Sequence, residues 1–432
     1  MVGKTQRVAT FAPAATGGPV STTPRRGHRS RARTTPVFAF VVLVGTLISN
    51  PLERKLQAME LPADLESKLR TAQPGEIVDM GSYPMAELPL LEYEKRAGGP
   101  QFVFSDDPEY FRVPEGAGVR EKVQPGRVRL YTYHVNGTTE SARRISTVIE
   151  NLGSGPLTLR WHRYAFRGPS TDYYRVGKGG LVDFFSAKNL PPAMTIPAGG
   201  AAPLDPKMDA VAVRYDELVH GFYEFEIDQP ARITTLQTSL ETPAVEANAR
   251  IREVLPPRKT LGAGRGLFKT SDYDITPKGG GTYDTSEGPK QILVADGKHD
   301  PWITGWDDSR STGSRNAGNY GVLYRIRVPY RSSDGRGIAV VLWYPPAGGK
   351  WCDACALAVV ANAGVHAGGV IEIPRDRTTF TGRTNAGVIQ IYPPANQGTE
   401  GVIELTYSPP GASCLPNPIL LIPIHLNEPK KE

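Results

Sequence analysis

Leu157-Thr158-Leu159-Arg160-Trp161-His162-Arg163-Tyr164 alternates large apolar and polar side chains with a period of two. Successive side chains of a strand point to opposite faces, so Leu157, Leu159 and Trp161 share one face, and Thr158, Arg160 and His162 the other. That is the pattern of an antiparallel sheet packed on one side and wet on the other. A face of Leu and Trp needs a second layer to cover it, which makes a two-sheet sandwich the expected fold.

Working outward, similar short segments recur. Val128 to Val135 reads as a strand ending in Asn136-Gly137, a strong hairpin signal. Arg144 to Glu150 places Ile145, Thr147 and Ile149 on one face and meets the turn Asn151-Leu152-Gly153-Ser154-Gly155-Pro156. Glu217 to Ile227 and Ala231 to Gln237 continue the alternation. Only Lys178 to Lys188, with Leu181, Phe184 and Phe185, reads as helical in this region. This rhythm predicts an immunoglobulin-like β-sandwich over residues 104–240. Eight further strand candidates between Gln291 and His425 predict a second domain over residues 267–432, a sandwich or jelly roll. Residues 241–266, rich in Pro and Gly, read as the linker. Residues 59–103 read as a connector carrying one helix, Ala63 to Arg70. The expected class is all-β, with two tandem β-sandwich domains.

The charge is unevenly placed. The 432 residues hold 50 Lys+Arg against 44 Asp+Glu, for a net charge of +6. The first 50 residues contain seven of the bases, five of them the arginines between Arg25 and Arg33, and no acid. A form starting at Met59 keeps 41 bases against 43 acids, a net charge of −2. Nucleic acid needs Lys and Arg concentrated on the folded part, so it is not an expected partner. The apolar run Val37 to Ile48 follows the arginines and is short for a membrane span. Residues 1–58 therefore read as an export signal, or as a signal anchor if uncleaved. Either outcome places the remainder outside the cytoplasm, in the envelope or extracellular space, with the membrane as a partner only through an uncleaved N-terminal segment.

Two resemblances add to this reading. Ile145 to Leu159, followed by Thr195-Ile196-Pro197-Ala198-Gly199, resembles the N-x-G-x-x-P-L hairpin and proline-glycine turn of Hydin-type immunoglobulin-like domains. That resemblance implies a non-catalytic binding or scaffolding module. Phe104 to Gln237, with Arg167-Gly-Pro-Ser-Thr-Asp-Tyr-Tyr174, is similar to uncharacterised exported bacterial proteins that occur alongside copper amine oxidase N-terminal-like modules, which implies an envelope setting. Amine oxidase activity is not implied. The family's cofactor arises from Asn-Tyr-Asp/Glu, whereas the nearest sequence here is Asn319-Tyr320-Gly321, and no His-x-His is present.

Other chemistries are also without their motifs. There is no Gly-x-x-x-x-Gly-Lys-Ser/Thr phosphate loop and no Gly-x-Ser-x-Gly elbow, and the seven histidines never fall as His-x-x-x-His. One loop stands out. Asp296 to Asp308 gathers Asp300, Trp302, Trp306, Asp307 and Asp308 between strand candidates. Exposed Trp faces stack on sugars, and clustered carboxylates can hold calcium or act as an acid/base pair. The bland reading is that the tryptophans close one end of a core while the acids cap turns. Of Cys352, Cys355 and Cys414, the third is expected in a disulfide with one of the first two. A zinc or copper site completed by His366 is the competing use. The expected role is therefore an exported, non-enzymatic protein for binding, adhesion or scaffolding, its partner a glycan or cell-surface protein. The alternatives are a carbohydrate-active enzyme using acids of the 300–308 loop and a metal-handling envelope protein. No cofactor is expected, with calcium the one ion the acid cluster would take.

Overall fold

The Leu157–Ser170 strand pairs antiparallel with Leu218–Ile227 and, at its start, with Met194–Ile196. Leu157, Leu159 and Trp161 are buried and Arg160 is exposed, as the alternation requires. The register then slips: Phe225 faces Trp161, yet Glu224 faces Arg163, leaving His162 as an extra residue. This β-bulge turns Tyr164 back onto the face of Trp161, and the two rings meet edge to face at 5.5 Å. One bulge thus lets a fourteen-residue strand bury four large side chains on one side.

The computed structural model describes residues 60–257, 264–345, 353–396 and 398–427. The segment read as an export signal lies outside the described residues. Among the described residues no helix is long and apolar enough to cross a membrane.

Among the described residues strands predominate, arranged in four sheets. A central nine-stranded sheet includes Gln101–Ser105, Gly126–Asn136, Leu218–Ile227 and Leu157–Ser170. One of its faces packs on a four-stranded sheet of Gly116–Val123, Arg144–Asn151, Ala201–Pro203 and Ala231–Thr238. Val128, Leu130, Leu159, Trp161 and Phe225 interlock there with Val119, Ile149 and Ile233. The second sandwich pairs a seven-stranded sheet, centred on Leu323–Arg331, with a five-stranded one, centred on Gly337–Trp343. Gly337–Trp343 is buried on both faces. Ile338, Val340 and Leu342 enter the inter-sheet core, while Ala339, Val341 and Trp343 pack under the Ala63–Thr71 helix with Leu65 and Leu69.

The sheets take strands from both sides of the expected boundaries. Within the expected connector, Tyr93–Gly98 is a strand of the seven-stranded sheet and Gln101–Ser105 a strand of the central one. Arg265–Phe268 from the expected linker, together with Thr304–Asp307 and Thr312–Arg315 from the expected second domain, extend the central sheet. Ala244–Arg250, also in the expected linker, is helical. One core cluster runs from Phe102, Tyr131 and Phe222 of the central sheet through Phe184 into Tyr324, Ile326 and Ile338 of the second sandwich. The described residues accordingly form one compact unit. Period and turn signals show where strands lie; they do not say which edge each strand completes.

The Asn136-Gly137 signal is a second correction. Gly126–Asn136 and Arg144–Asn151 belong to different sheets, and neither Asn136 nor Gly137 takes the positive φ of a hairpin turn. Instead the buried Asn136 amide accepts from Thr138 N (2.9 Å) and Oγ1 (2.6 Å) and donates to Val213 O (2.9 Å), closing a turn that carries the chain between layers. Asn151 does the same at the next crossing, accepting from Gly153 N and donating to Gly155 O and Ile196 O. The stretch that resembles a Hydin-type hairpin is therefore a sheet-to-sheet crossover.

Two contacts weld the sandwiches. Arg129, 1% exposed, donates to Glu224 at 2.7 Å within the central sheet and to Asp272 of the seven-stranded sheet at 2.6 Å. The second is the Tyr173–Ser186 helix, capped by Asp172, whose carboxylate accepts from Arg175 N. Its Phe184 stacks on Phe222 at 3.6 Å. Glycine is required at two turns of this helix: a Cβ on Gly177 would lie 2.6 Å from Gly411 O, and one on Gly180 2.4 Å from the His220 ring.

Candidate functional site

The acid-rich loop is built into the fold. Asp300 is fully buried; one carboxylate oxygen is ion-paired with Lys95, and the other accepts from Ala295 N (2.7 Å) and Tyr324 Oη (2.6 Å). Burial and the adjacent Asp300 charge hold the Tyr324 phenol well above its ordinary range. Asp296 caps the turn, accepting from the backbone of His299 and Asp300. Asp307 accepts from Arg265 Nε at 2.9 Å with one oxygen and caps the next turn through Arg310 N with the other. Asp308 is exposed and stands 3.8 Å from Lys122. Trp302 donates to Ala295 O and carries the Arg315 guanidinium over its ring. Trp306 is 50% exposed on the Thr304–Asp307 strand. Asp300 and Asp307 thus have donors on both oxygens, and none of the five residues lines either of the two pockets along the Tyr173–Ser186 helix. Asp296 and Asp307 cap turns, while Asp300 pairs with the exposed Lys95 and Asp307 with the buried Arg265.

Behind this loop lies an acid that sequence reasoning missed. Glu121, 1% exposed, accepts from Asp308 N with both oxygens. Burial pushes its carboxyl up to about 8, assisted by the charges of Asp307 and Asp308.

The cysteines separate into two environments. Cys414 is disulfide-bonded, whereas Cys355 is a free, fully buried thiol beside Asn417. Burial pushes the Cys355 thiol up to about 12, so it is a poor thiolate ligand. Cys352 lies outside the described residues. His366 hydrogen-bonds to Ala72 O at 3.2 Å. Among the described residues no group of three or more His, Cys, Asp or Glu side chains is placed to hold a metal ion.

Two open pockets lie along the Tyr173–Ser186 helix. One pocket of about 350 Å³ is bounded by Arg167 of the central sheet, by Arg175 and Lys178 of the helix, and by the loop after the edge strand Gly369–Ile373, with Arg375 and Arg377. Lys178 fastens this wall: its ammonium donates to Pro374 O (2.8 Å) and Arg377 O (2.7 Å). Burial pulls its pKa down against the attraction of Glu372. A second pocket of about 300 Å³ holds Lys188, Lys207, Asp183, Ser186 and Asn189. Arg167 lines the first pocket and Asp183 the second, and a two-bond ion pair at 2.6 and 2.7 Å joins them. Arg175 has no carboxylate at ion-pair distance among the described residues. None of these residues was a sequence-derived candidate; the one local signal was the charged run Arg375-Asp376-Arg377 after a short strand.

No protein-family model and no curated protein matches the chain. Among solved structures, the oxalate decarboxylase of Lactobacillus farciminis in its formate complex is 11% identical over 76% of this chain and 86% of its own, with a TM-score of 0.12. A second oxalate decarboxylase structure is 10% identical over 77% of this chain and 79% of its own, with a TM-score of 0.11. Likeness at this level transfers neither fold nor activity.

Proposed function

We propose that the protein is an exported, non-enzymatic binding component of the cell envelope, whose double sandwich presents the helix groove to a cell-surface glycan. The observation that carries this reading is the contrast between two regions. The carboxylates on which a glycosidase reading depends are consumed by Lys95, Tyr324, Arg265 and backbone donors, whereas the groove is open and presents the exposed guanidiniums of Arg175 and Arg377. Glycoside hydrolysis needs two carboxyl groups about 5 to 10 Å apart on either side of a cleft, whereas both oxygens of Asp300 and of Asp307 already accept from protein donors, which favours the binding reading. Pockets of a few hundred Å³ with converging polar groups are the usual size for a small ligand or a segment of a larger one.

The test is retention of the full-length protein on a panel of immobilised neutral and acidic polysaccharides, with released reducing ends assayed in parallel. Retention on at least one polysaccharide without cleavage is expected. Cleavage of any of them, lost in Asp300→Asn, would favour the enzyme; failure to bind any would remove the glycan from the reading.

A further inference from the structure

From the groove we infer that the ligand is an acidic saccharide, a chain carrying carboxylates that lies along the Tyr173–Ser186 helix across both pockets. This inference rests on the glycan-binding reading and names its ligand class.

The first observation is charge segregation. From Met59 onward the chain carries a net charge of −2, yet the two pockets together are lined by seven bases and three acids. Low-dielectric concave walls of one sign focus the field on the bound ion, so a local excess of this size selects anions although the whole body does not. The bases also come from separate elements. Arg167 belongs to the central sheet, Arg175 and Lys178 to the helix, Arg375 and Arg377 to the loop of the second sandwich, and Lys207 to the Pro206–Ala210 helix. They converge only because the sandwiches are fused.

The second observation concerns what each cation already does. Lys178 is spent on the carbonyls of Pro374 and Arg377, so its role is to hold the wall. Arg375 pairs with Glu76 at 3.2 Å. Arg175 is exposed, and the Arg377 guanidinium pairs with its exposed neighbour Asp376. These two guanidiniums, on opposite walls, are the ones a carboxylate would recruit, since the planar fork matches a carboxylate in two bonds.

The third observation separates a saccharide from a nucleic acid. Single-stranded nucleic acid is held by bases stacked on exposed aromatic faces. The aromatic side chains here are Tyr164 and Phe166. The Tyr164 ring packs on Trp161 and Tyr223, and the Lys207 ammonium stands 5.5 Å from its centre. The second pocket offers instead the Asn189 amide, which can donate and accept, and the oxygen of the Ser186 hydroxyl, which donates its own proton to Val182 O at 2.7 Å and can still accept from a sugar hydroxyl.

The experiment measures binding of the full-length protein to hexagalacturonate, to its methyl-esterified form, and to a twelve-nucleotide single-stranded DNA. The esterified form is expected to bind at least ten-fold more weakly, and affinity for the acid to fall as salt rises. Arg175→Ala and Arg377→Ala should each weaken hexagalacturonate binding about five-fold with the melting temperature unchanged, because both side chains are exposed. Equal affinity for acid and ester, or unchanged affinity in both variants, overturns the inference while leaving a glycan-binding protein. Tighter binding of the DNA than of hexagalacturonate overturns the ligand class. Absence of binding to these probes and to every polysaccharide of the panel overturns the glycan reading itself.

Discussion

Arg167 and Asp183 are joined by two parallel hydrogen bonds, Nε to Oδ2 at 2.6 Å and Nη2 to Oδ1 at 2.7 Å, each residue lining one of the two pockets along the helix. The pair is half exposed, so it adds little to stability. Its larger consequence is that Asp183 holds a guanidinium that an anionic ligand would otherwise use. Asp183→Asn is expected to tighten binding of an acidic oligosaccharide about two- to five-fold while changing unfolding free energy by less than about 1 kcal/mol. Weaker binding in this variant, measured by titration calorimetry, would place the ligand elsewhere.

The Arg129 bridge makes the opposite prediction. Its guanidinium is buried between Glu224 and Asp272, so removing it leaves two buried carboxylates short of their shared cation, whereas removing Asp272 leaves the guanidinium paired with Glu224. Arg129→Ala should therefore cost about 3 to 5 kcal/mol in urea unfolding, and Asp272→Ala less. The double variant should lose much less than the two single losses added together, because the two side chains share one interaction. Additive losses would mean that the residues act independently.

Glu121 should impose a pH dependence on stability. Its carboxyl is raised from 4.5 to about 8 in the folded protein, so the folded state binds the proton more tightly than the unfolded chain does. The stabilising contribution is complete below about pH 4.5 and is lost as the pH rises through 8. Glu121→Gln removes this dependence. Relative to the parent, the variant should gain little at pH 4 and most at pH 8 and above, to a ceiling of roughly 5 kcal/mol, each pKa unit being worth about 1.4 kcal/mol. The same difference in urea midpoint at both pH values would contradict the assignment.

The cysteines are distinguishable by labelling. Cys355 is buried with a raised pKa, so a thiol reagent should modify it only on denaturation, without reductant. Cys414 should be modified only after denaturation and reduction, because it is disulfide-bonded. Peptide mass mapping reads both. Labelling of Cys414 in the denatured, unreduced protein would restore the metal-handling alternative.

Much of the fold was legible in the sequence, for a local reason. Leu157, Leu159 and Trp161 alternate because a half-buried strand has two faces, and that periodicity needs no knowledge of the partner. The bulge at His162 was not legible, because it is defined by the register against Phe225 and Glu224. The Asn136-Gly137 signal misled because the same two residues serve a hairpin turn or a side-chain-closed crossover, and distant Val213 decides between them. Tyr93–Gly98 and Arg265–Phe268 looked like connecting chain because they complete edges contributed by remote segments. The candidate site followed the same rule. The acids at 300 and 307 were conspicuous as a cluster in sequence, yet Lys95 and Arg265 take them into the fold. Arg167, Arg175, Lys188 and Arg377 are scattered along more than two hundred residues and gather only in three dimensions.

Hydrogen-exchange mass spectrometry of the full-length protein, with and without saturating hexagalacturonate, tests the location of the ligand most directly. Added protection concentrated in residues 172–189 and 372–378, and none in 296–308, is the expected result. Protection confined to the loop that carries Trp302 and Trp306, with the helix unchanged, would contradict the groove as the binding site.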